Sequence, residues 1–162
     1  MNKNKGSQRG LDTLYADFIR KINDYQWNSQ SEYELSELLR ECVLHEKRMP
    51  EAYSILKEII KRNTGLLLFD TQLMAAYSMQ QGRIAELPTG EGKNLSAVVT
   101  ATTLALQKNH IHILVFNDYL AHRNYSNNLP IYKACGISCG YIVETSDFAH
   151  RKIAYSCDVV YV

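Results

Sequence analysis

From residue 66 to the end of the chain, segments with helical periodicity alternate with short apolar segments. The short segments are rich in β-branched and aromatic residues and predict strands, at residues 84–87, 111–117, 138–143 and 158–162. The longer segments predict helices, at residues 70–81, 93–108, 119–134 and 146–155. Strands that alternate with helices of this length form βαβ units. This part of the chain therefore predicts an α/β fold with a parallel sheet and flanking helices.

Residues 11–65 have a different pattern, in which apolar residues recur at helical spacing without strand-like segments between them. Ser31 and Glu34 have the spacing of a capping box, in which each side chain binds a free backbone N–H of the other residue. Pro50 fits the first turn of a later helix, and Gly65 can supply the left-handed residue that ends it. The pattern predicts an N-terminal helical segment over residues 11–65.

The composition excludes several classes of function. The chain has 18 Lys+Arg and 17 Asp+Glu, a net charge of +1, so we expect no nucleic-acid partner. No segment approaches the roughly 18 apolar residues that a membrane helix needs, and we expect no membrane span. The four cysteines do not have the spacing of a disulfide framework and predict reduced thiols in a cytoplasmic protein. Residues 1–10 are polar and basic and predict a disordered tail.

The sequence P-T-G-E-G-K-N at residues 88–94 lies between a predicted strand and a predicted helix. Gly90 and Gly92 allow backbone N–H groups to face phosphate oxygens, and the start of the helix adds a partial positive charge. Lys93 can reach the β- and γ-phosphates of a nucleotide. The pattern predicts a phosphate-binding loop. An ordinary glycine turn with an exposed lysine is the alternative.

The loop departs from the general motif G-x-x-x-x-G-K-[S/T] at two positions, Leu87 and Asn94. The hydroxyl normally found at the position of Asn94 binds Mg²⁺. An asparagine oxygen is a neutral ligand that can substitute, but the side chain is longer and differently directed, and Mg²⁺ demands octahedral geometry at about 2.0–2.1 Å. We therefore expect Asn94 to form a weak magnesium site. His110 and His112 share a strand face but have no third ligand in view.

Several strings of residues resemble the SecA family, the ATPase motors of bacterial and plastid preprotein translocation. The resemblance extends from about residue 31 to residue 162. It is carried by P-E-A-Y at 50–53, F-D-T-Q-L at 69–73, G-R-I-A-E at 82–86, T-G-E-G-K at 89–93, N-D-Y-L-A-x-R at 117–123, G-I-x-x-G at 136–140 and A-Y-x-x-D at 154–158. It implies that residues 66–162 are a partial P-loop nucleotide-binding domain of the RecA/helicase-like kind, incomplete and ending before the acidic Walker B strand.

The resemblance also implies roles for individual residues. Gln72 would contact adenine, with a solvent-facing helix position as the alternative. The sequence G-E-G-K, from Gly90 through Glu91 and Gly92 to Lys93, would hold the phosphates of ATP. Asp118 would cap a helix, and Arg123 would lie near the nucleotide; plain capping and a surface charge are the alternatives. ATP with weakly bound Mg²⁺ would be the cofactor, and preprotein and the translocon channel would be the partners.

Other features set limits on activity. Pro88, Asn94 and Asn124 replace a basic residue, a threonine and an aspartate that are usual in the family. The Walker B strand, the preprotein-binding insertion and the second motor domain with its arginine finger are expected beyond residue 162. We therefore expect an ATP-binding fragment of a translocation motor that is inactive alone, in the cytoplasm or peripheral at the membrane. The alternative is a degenerate SecA-like domain that acts as a protein-interaction module.

Overall fold

The structure is a computed structural model that describes the backbone from residue 4 to residue 162 and the side chains from residue 13. Its first helix, α1 (Asn4–Asn23), begins at Asn4. The backbone of residues 4–10 is therefore helical where the sequence predicts a tail, and residues 1–3 lie outside the described residues. A helix extends at little cost once its first turns have formed, and no proline interrupts this segment.

The N-terminal helical segment continues with α2 (Glu32–Cys42), a 3₁₀ helix (Glu46–Arg48) and α3 (Met49–Thr64). The predicted capping box is present. The backbone N–H of Ser31 donates to Glu34 Oε2 over 2.7 Å, and the N–H of Glu34 donates to Ser31 Oγ over 3.3 Å. Pro50 lies in the first turn of α3, and Gly65 ends the helix with a φ of 72°. These local signals were sufficient to predict the start of α2 and both ends of α3.

The second part of the chain is an α/β unit. It contains α4 (Asp70–Gln80), α5 (Lys93–Leu106), β1 (Ile111–Ile113), α6 (Asp118–Ala134), β2 (Cys139–Tyr141), α7 (Phe148–Tyr155) and β3 (Val159–Tyr161). The strands form a parallel sheet in the order β1-β3-β2, with Val159 of β3 level with Ile111 of β1 and Cys139 of β2. The predicted α/β class with a parallel sheet and flanking helices is confirmed.

The predicted strand at residues 84–87 is wrong. These residues form no strand, and the side chain of Ile84 is 99% exposed. A strand requires a neighbour for its backbone N–H and C=O groups, and the three described strands pair only with one another. The predicted phosphate loop therefore follows a segment that is outside the sheet.

One hydrophobic core connects the two parts of the chain. Ile55 and Ile59 of α3 belong to the same buried cluster as Val98 of α5 and Tyr161 of β3. Hydrogen bonds also cross between the parts: Arg40 Nη2 donates to the carbonyl of Cys135 over 3.2 Å. The change of pattern near residue 65 is thus not a break in the packing. Within the described residues, no helix has the length and apolar character needed to cross a membrane.

Candidate functional site

The predicted phosphate loop has the backbone geometry that its glycines allow. Gly90 and Gly92 have φ values of 92° and 76°, in the left-handed region that favours glycine. The N–H of Glu91 donates to the carbonyl of Pro88 over 3.3 Å, which closes a turn. Two residues later α5 begins at Lys93.

Three backbone N–H groups are available at the start of α5. Those of Gly92, Lys93 and Asn94 have no acceptor among the residues that the structure describes. Such unpaired donors at a helix N-terminus, together with the positive end of the helix dipole, form an environment that suits an anion.

The Lys93 ammonium folds across the loop. Its Nζ donates to the carbonyl of Pro88 over 2.9 Å, and the side chain is exposed. A phosphate oxygen is a stronger acceptor for an ammonium than a neutral carbonyl, because the bond is charge-assisted on both sides. Lys93 can therefore exchange Pro88 for a phosphate by rotating its flexible side chain.

The side chain of Gln72, in α4, is hydrogen-bonded to the loop. It is buried, its Oε1 accepts from the N–H of Phe69 over 3.1 Å, and its Nε2 donates to the carbonyl of Glu91 over 3.0 Å. A Cβ atom on Gly92 would lie 2.1 Å from this Nε2. The alternative of a solvent-facing position for Gln72 is therefore wrong, whereas the adenine contact stays a prediction.

Asn94 belongs to a buried polar network that the sequence analysis missed. Its Nδ2 donates to Asn128 Oδ1 over 3.2 Å, and Asn128 Nδ2 returns a bond to Asn94 Oδ1 over 3.1 Å. Asn128 Nδ2 also donates to the Tyr161 hydroxyl over 2.8 Å, which lies 3.1 Å from the hydroxyl of Tyr132. The network joins α5, α6 and β3, and it reaches the second residue of the helix that follows the predicted phosphate loop.

Burial keeps the two phenols of this network neutral. It raises the pKa of Tyr161 to about 12 and raises that of Tyr132 well above its usual value. Asn128 itself is 2% exposed. The helical spacing could have predicted that Asn128 is buried, because it follows the buried Ala121 by two helical turns and precedes the buried Ile131 by three residues.

The surroundings of Asn94 do not fit its predicted role as a magnesium ligand. The Oδ1 atom of Asn94 faces Asn128 in the interface between α5 and α6, and both polar atoms of the amide bond to that one partner. The two histidines considered as metal ligands have other contacts. The Nδ1 atom of His110 lies 3.3 Å from the carbonyl oxygen of Cys157, and the His112 ring contacts the ring of Tyr155. In the described part of the chain, no group of three or more His, Cys, Asp or Glu is arranged to hold a metal ion.

The two predicted residues of the N-D-Y-L-A-x-R string have other contacts. Asn117, not Asp118, caps α6, since Leu120 N–H donates to Asn117 Oδ1 over 2.9 Å. The cap needs an extended backbone, and Asn117 is the last residue to have one, with φ −160° and ψ 167°. Asp118 accepts from the N–H of Glu144 over 2.9 Å. The exposed Arg123 lies 5.6 Å from the centre of the Tyr119 ring, and its proximity to nucleotide stays a prediction.

All four cysteines are free thiols. Burial raises the pKa of Cys42, Cys135 and Cys139 to about 12 and also raises that of Cys157. Since the thiolate is the reactive form, these thiols have the character of structural residues.

Comparison with known proteins decides the family. Residues 12–162 match the sequence profile described as the SecA DEAD-like domain. The chain belongs to this family. The predicted resemblance is therefore confirmed, and the three-stranded parallel sheet with its flanking helices is consistent with part of a RecA-like DEAD domain.

Individual SecA relatives agree with the profile. The chain is 38% identical over 157 residues to the protein translocase subunit SecA of Antithamnion sp., which covers 91% of this chain and 18% of that protein. It is 37% identical over 166 residues to the SecA subunit of Porphyra purpurea, covering 96% of this chain and 19% of the relative. The SecA 3 subunit of Mycolicibacterium vanbaalenii is 41% identical over 113 residues, 70% of this chain and 14% of that subunit. The chain thus spans less than a fifth of the length of these relatives.

Proposed function

We propose that the chain is the adenine-nucleotide-binding part of a SecA-type protein-translocation motor, in which loop 88–94 holds the nucleotide phosphates. The main support is the geometry of the loop, in which, among the described residues, three N–H groups at the start of α5 are unpaired and the Lys93 ammonium bonds only to the carbonyl of Pro88 within the same loop. The names of the SecA relatives support the assignment to protein translocation. Preprotein and translocon partners, in the cytoplasm or at the membrane periphery, belong to the same proposal.

Each residue of the loop has a separate task in this proposal. The N–H groups of Gly92, Lys93 and Asn94 donate to phosphate oxygens, and the ammonium neutralises part of the phosphate charge. Gln72 holds the carbonyl of Glu91 and so keeps the loop open while the ligand binds. Gln72 Nε2 has a second N–H, and Oε1 has a second lone pair, which are the groups that an adenine edge requires.

We propose binding without turnover for residues 1–162. Phosphoryl transfer depends on groups that stabilise the charge of the transition state, and an arginine finger alone contributes about 10³–10⁵ in rate. The resemblance assigns the Walker B carboxylate and the arginine finger to parts of the family outside these residues. Phosphate release from ATP should stay at the background rate.

An interaction module is the second candidate, and the apolar surface favours it. Ile84, Leu114 and Phe116 are 99%, 81% and 93% exposed. A degenerate domain that acts only through exposed apolar side chains such as these would have no need of the loop. Nucleotide binding therefore separates the two candidates.

A titration with a fluorescent ATP analogue tests the proposed function. Lys93→Ala removes the ammonium but leaves the backbone donors in place, so it should weaken binding by at least about tenfold. Lys152→Ala, at an exposed position on α7, is the matched control and should bind as the unmodified chain does. Equal binding by all three proteins would contradict the assignment of the site, and no binding by any of them would favour the interaction module.

A further inference from the structure

We infer that Asn94 is a positioning residue, not a metal ligand, and that the loop therefore takes the nucleotide polyphosphate as a metal-free anion. The inference rests on the proposed function and specifies the form of its ligand. It begins from the reciprocal amide pair of Asn94 and Asn128, whose two hydrogen bonds measure 3.2 and 3.1 Å.

The amide of Asn94 is fixed by its surroundings. Its partner Asn128 is 2% exposed and is held on its other side by the Tyr161 hydroxyl, which is itself completely buried. If Asn94 turned towards a metal ion in the loop, it would leave a donor and an acceptor of Asn128 without partners in the interior. Buried polar groups without partners are costly, so the pair resists this rotation.

The network fixes the start of α5 instead. Asn94 is the second residue of α5, Asn128 lies in α6 and Tyr161 in the central strand β3. The amide pair therefore anchors the helix turn that carries the free N–H groups of Gly92, Lys93 and Asn94. Asn94 acts on the ligand through its backbone, while its side chain holds that backbone in place.

The groups that remain for the ligand at the start of α5 are three backbone donors and one ammonium. Backbone N–H groups and an ammonium interact best with the full negative charge of a free polyphosphate. Mg²⁺ bound to the same oxygens would neutralise part of that charge without gaining a ligand from Asn94. Removal of Mg²⁺ should therefore leave the affinity unchanged or increase it.

The affinity of the unmodified chain in two media tests the inference. The chain is titrated with a fluorescent ATP analogue at one fixed ionic strength, once with excess Mg²⁺ and once with EDTA. We expect the affinity in EDTA to equal or exceed that in Mg²⁺. If the affinity is about fivefold or more lower in EDTA than in Mg²⁺, roughly the contribution of one metal ligand, the inference is wrong and the proposed function remains in place. No binding in either medium would overturn both.

A pair of variants tests the role of the network. Asn128→Leu removes the partner of Asn94 and frees its oxygen, so the ratio of the affinity in Mg²⁺ to that in EDTA should rise by about fivefold. Asn127→Leu, at the exposed neighbouring position, is the matched control and should leave the ratio unchanged. If Asn128→Leu lowers the affinity equally in both media, the result supports the positioning role but shows that the pair does not keep the Asn94 oxygen from Mg²⁺. If the affinity is unchanged in both media, Asn94 is not a positioning residue and the inference is wrong. If Asn128→Leu does not fold, the affinities of the unmodified chain in Mg²⁺ and in EDTA alone test the inference.

Discussion

Gly92 is a loop residue that lies directly against the Gln72 side chain of α4. It has a left-handed backbone, and the space where a side chain would begin is occupied by the amide of Gln72. Gly90 has a left-handed backbone as well, but no atom lies within 4 Å of its hypothetical Cβ. A side chain at Gly90 would therefore introduce backbone strain alone, whereas one at Gly92 would introduce both backbone strain and a steric clash.

Alanine at these two positions should have different effects. Gly90→Ala should lower the free energy of unfolding by about 1–2 kcal/mol, the strain of a left-handed alanine. Gly92→Ala should cost about 1 kcal/mol more, because it also displaces Gln72 from the carbonyl of Glu91. Urea unfolding of both variants measures the difference. An equal loss in both would mean that the contact with Gln72 contributes nothing to stability.

At the residue scale, the sequence predicted the backbone of the loop better than its side-chain contacts. The left-handed conformations of Gly90 and Gly92 were predictable from residue type, whereas phosphate binding by the loop stays a prediction. The hydrogen bonds of Asn94 were not predictable, because Asn128 is 34 positions away and only the packing of α6 brings it near. The conformation of a short loop can be predicted from its residue types, whereas the partner of a polar side chain depends on the tertiary fold.

At the element scale, the Asp158 side chain joins the starts of β2 and β3. Asp158 Oδ2 accepts from both the hydroxyl and the N–H of Ser138, over 2.6 and 2.8 Å, just before β2 and β3 pair. Burial raises the pKa of Asp158, but the hydrogen bonds from Ser138, together with the nearby charges of His110 and Lys108, lower the pKa overall. The carboxylate form is therefore the form that stabilises the sheet.

Asp158→Asn should be destabilising in a pH-dependent way. The folded pKa is below the unfolded value of about 3.9, so the stabilisation is present above that pH and is lost as the pH falls through the folded pKa. At pH 7 the variant should lose about 1–2 kcal/mol of unfolding free energy, and the difference from the unmodified chain should narrow below about pH 4. Glu86→Gln, at an exposed position, is the control. A difference that does not change with pH would show that the charge of Asp158 is irrelevant.

The helices of this chain were easier to predict than its strands, for a physical reason. Helix ends carry local signals such as the Ser31 capping box and the left-handed Gly65, and the structure confirms both. A strand has no internal hydrogen bonds and exists only where a neighbour is available. Residues 84–87 therefore have the composition of a strand and form none, and β1 covers only three of the seven residues predicted for it.

At the scale of the whole molecule, the helical segment and the α/β unit share one core. Trp27, the single tryptophan, is attached to α3 by a 2.9 Å hydrogen bond from Nε1 to Ser54 Oγ. Between the two parts, Gln107 Nε2 donates to the carbonyl of Val43 over 2.8 Å. A change of sequence pattern near residue 65 is therefore compatible with one cooperative unit.

Unfolding should accordingly occur in a single transition. Trp27 fluorescence reports on the helical segment, and the amide signals of β3 report on the sheet. Both should give the same midpoint in urea, because loss of either part exposes the core of the other. Two separate midpoints would mean that the parts are independent folding units.

The central claim is that the backbone at the start of α5 binds nucleotide phosphates, and the amide signals of the loop test it most directly. In a ¹⁵N-labelled chain titrated with ATP in EDTA, the largest shifts should occur at the N–H groups of Gly92, Lys93 and Asn94, since these are the free donors that would bond the ligand. Lys93→Ala should need a higher nucleotide concentration for the same shifts. Unchanged loop signals at saturating nucleotide, or shifts confined to a distant surface, would contradict the claim.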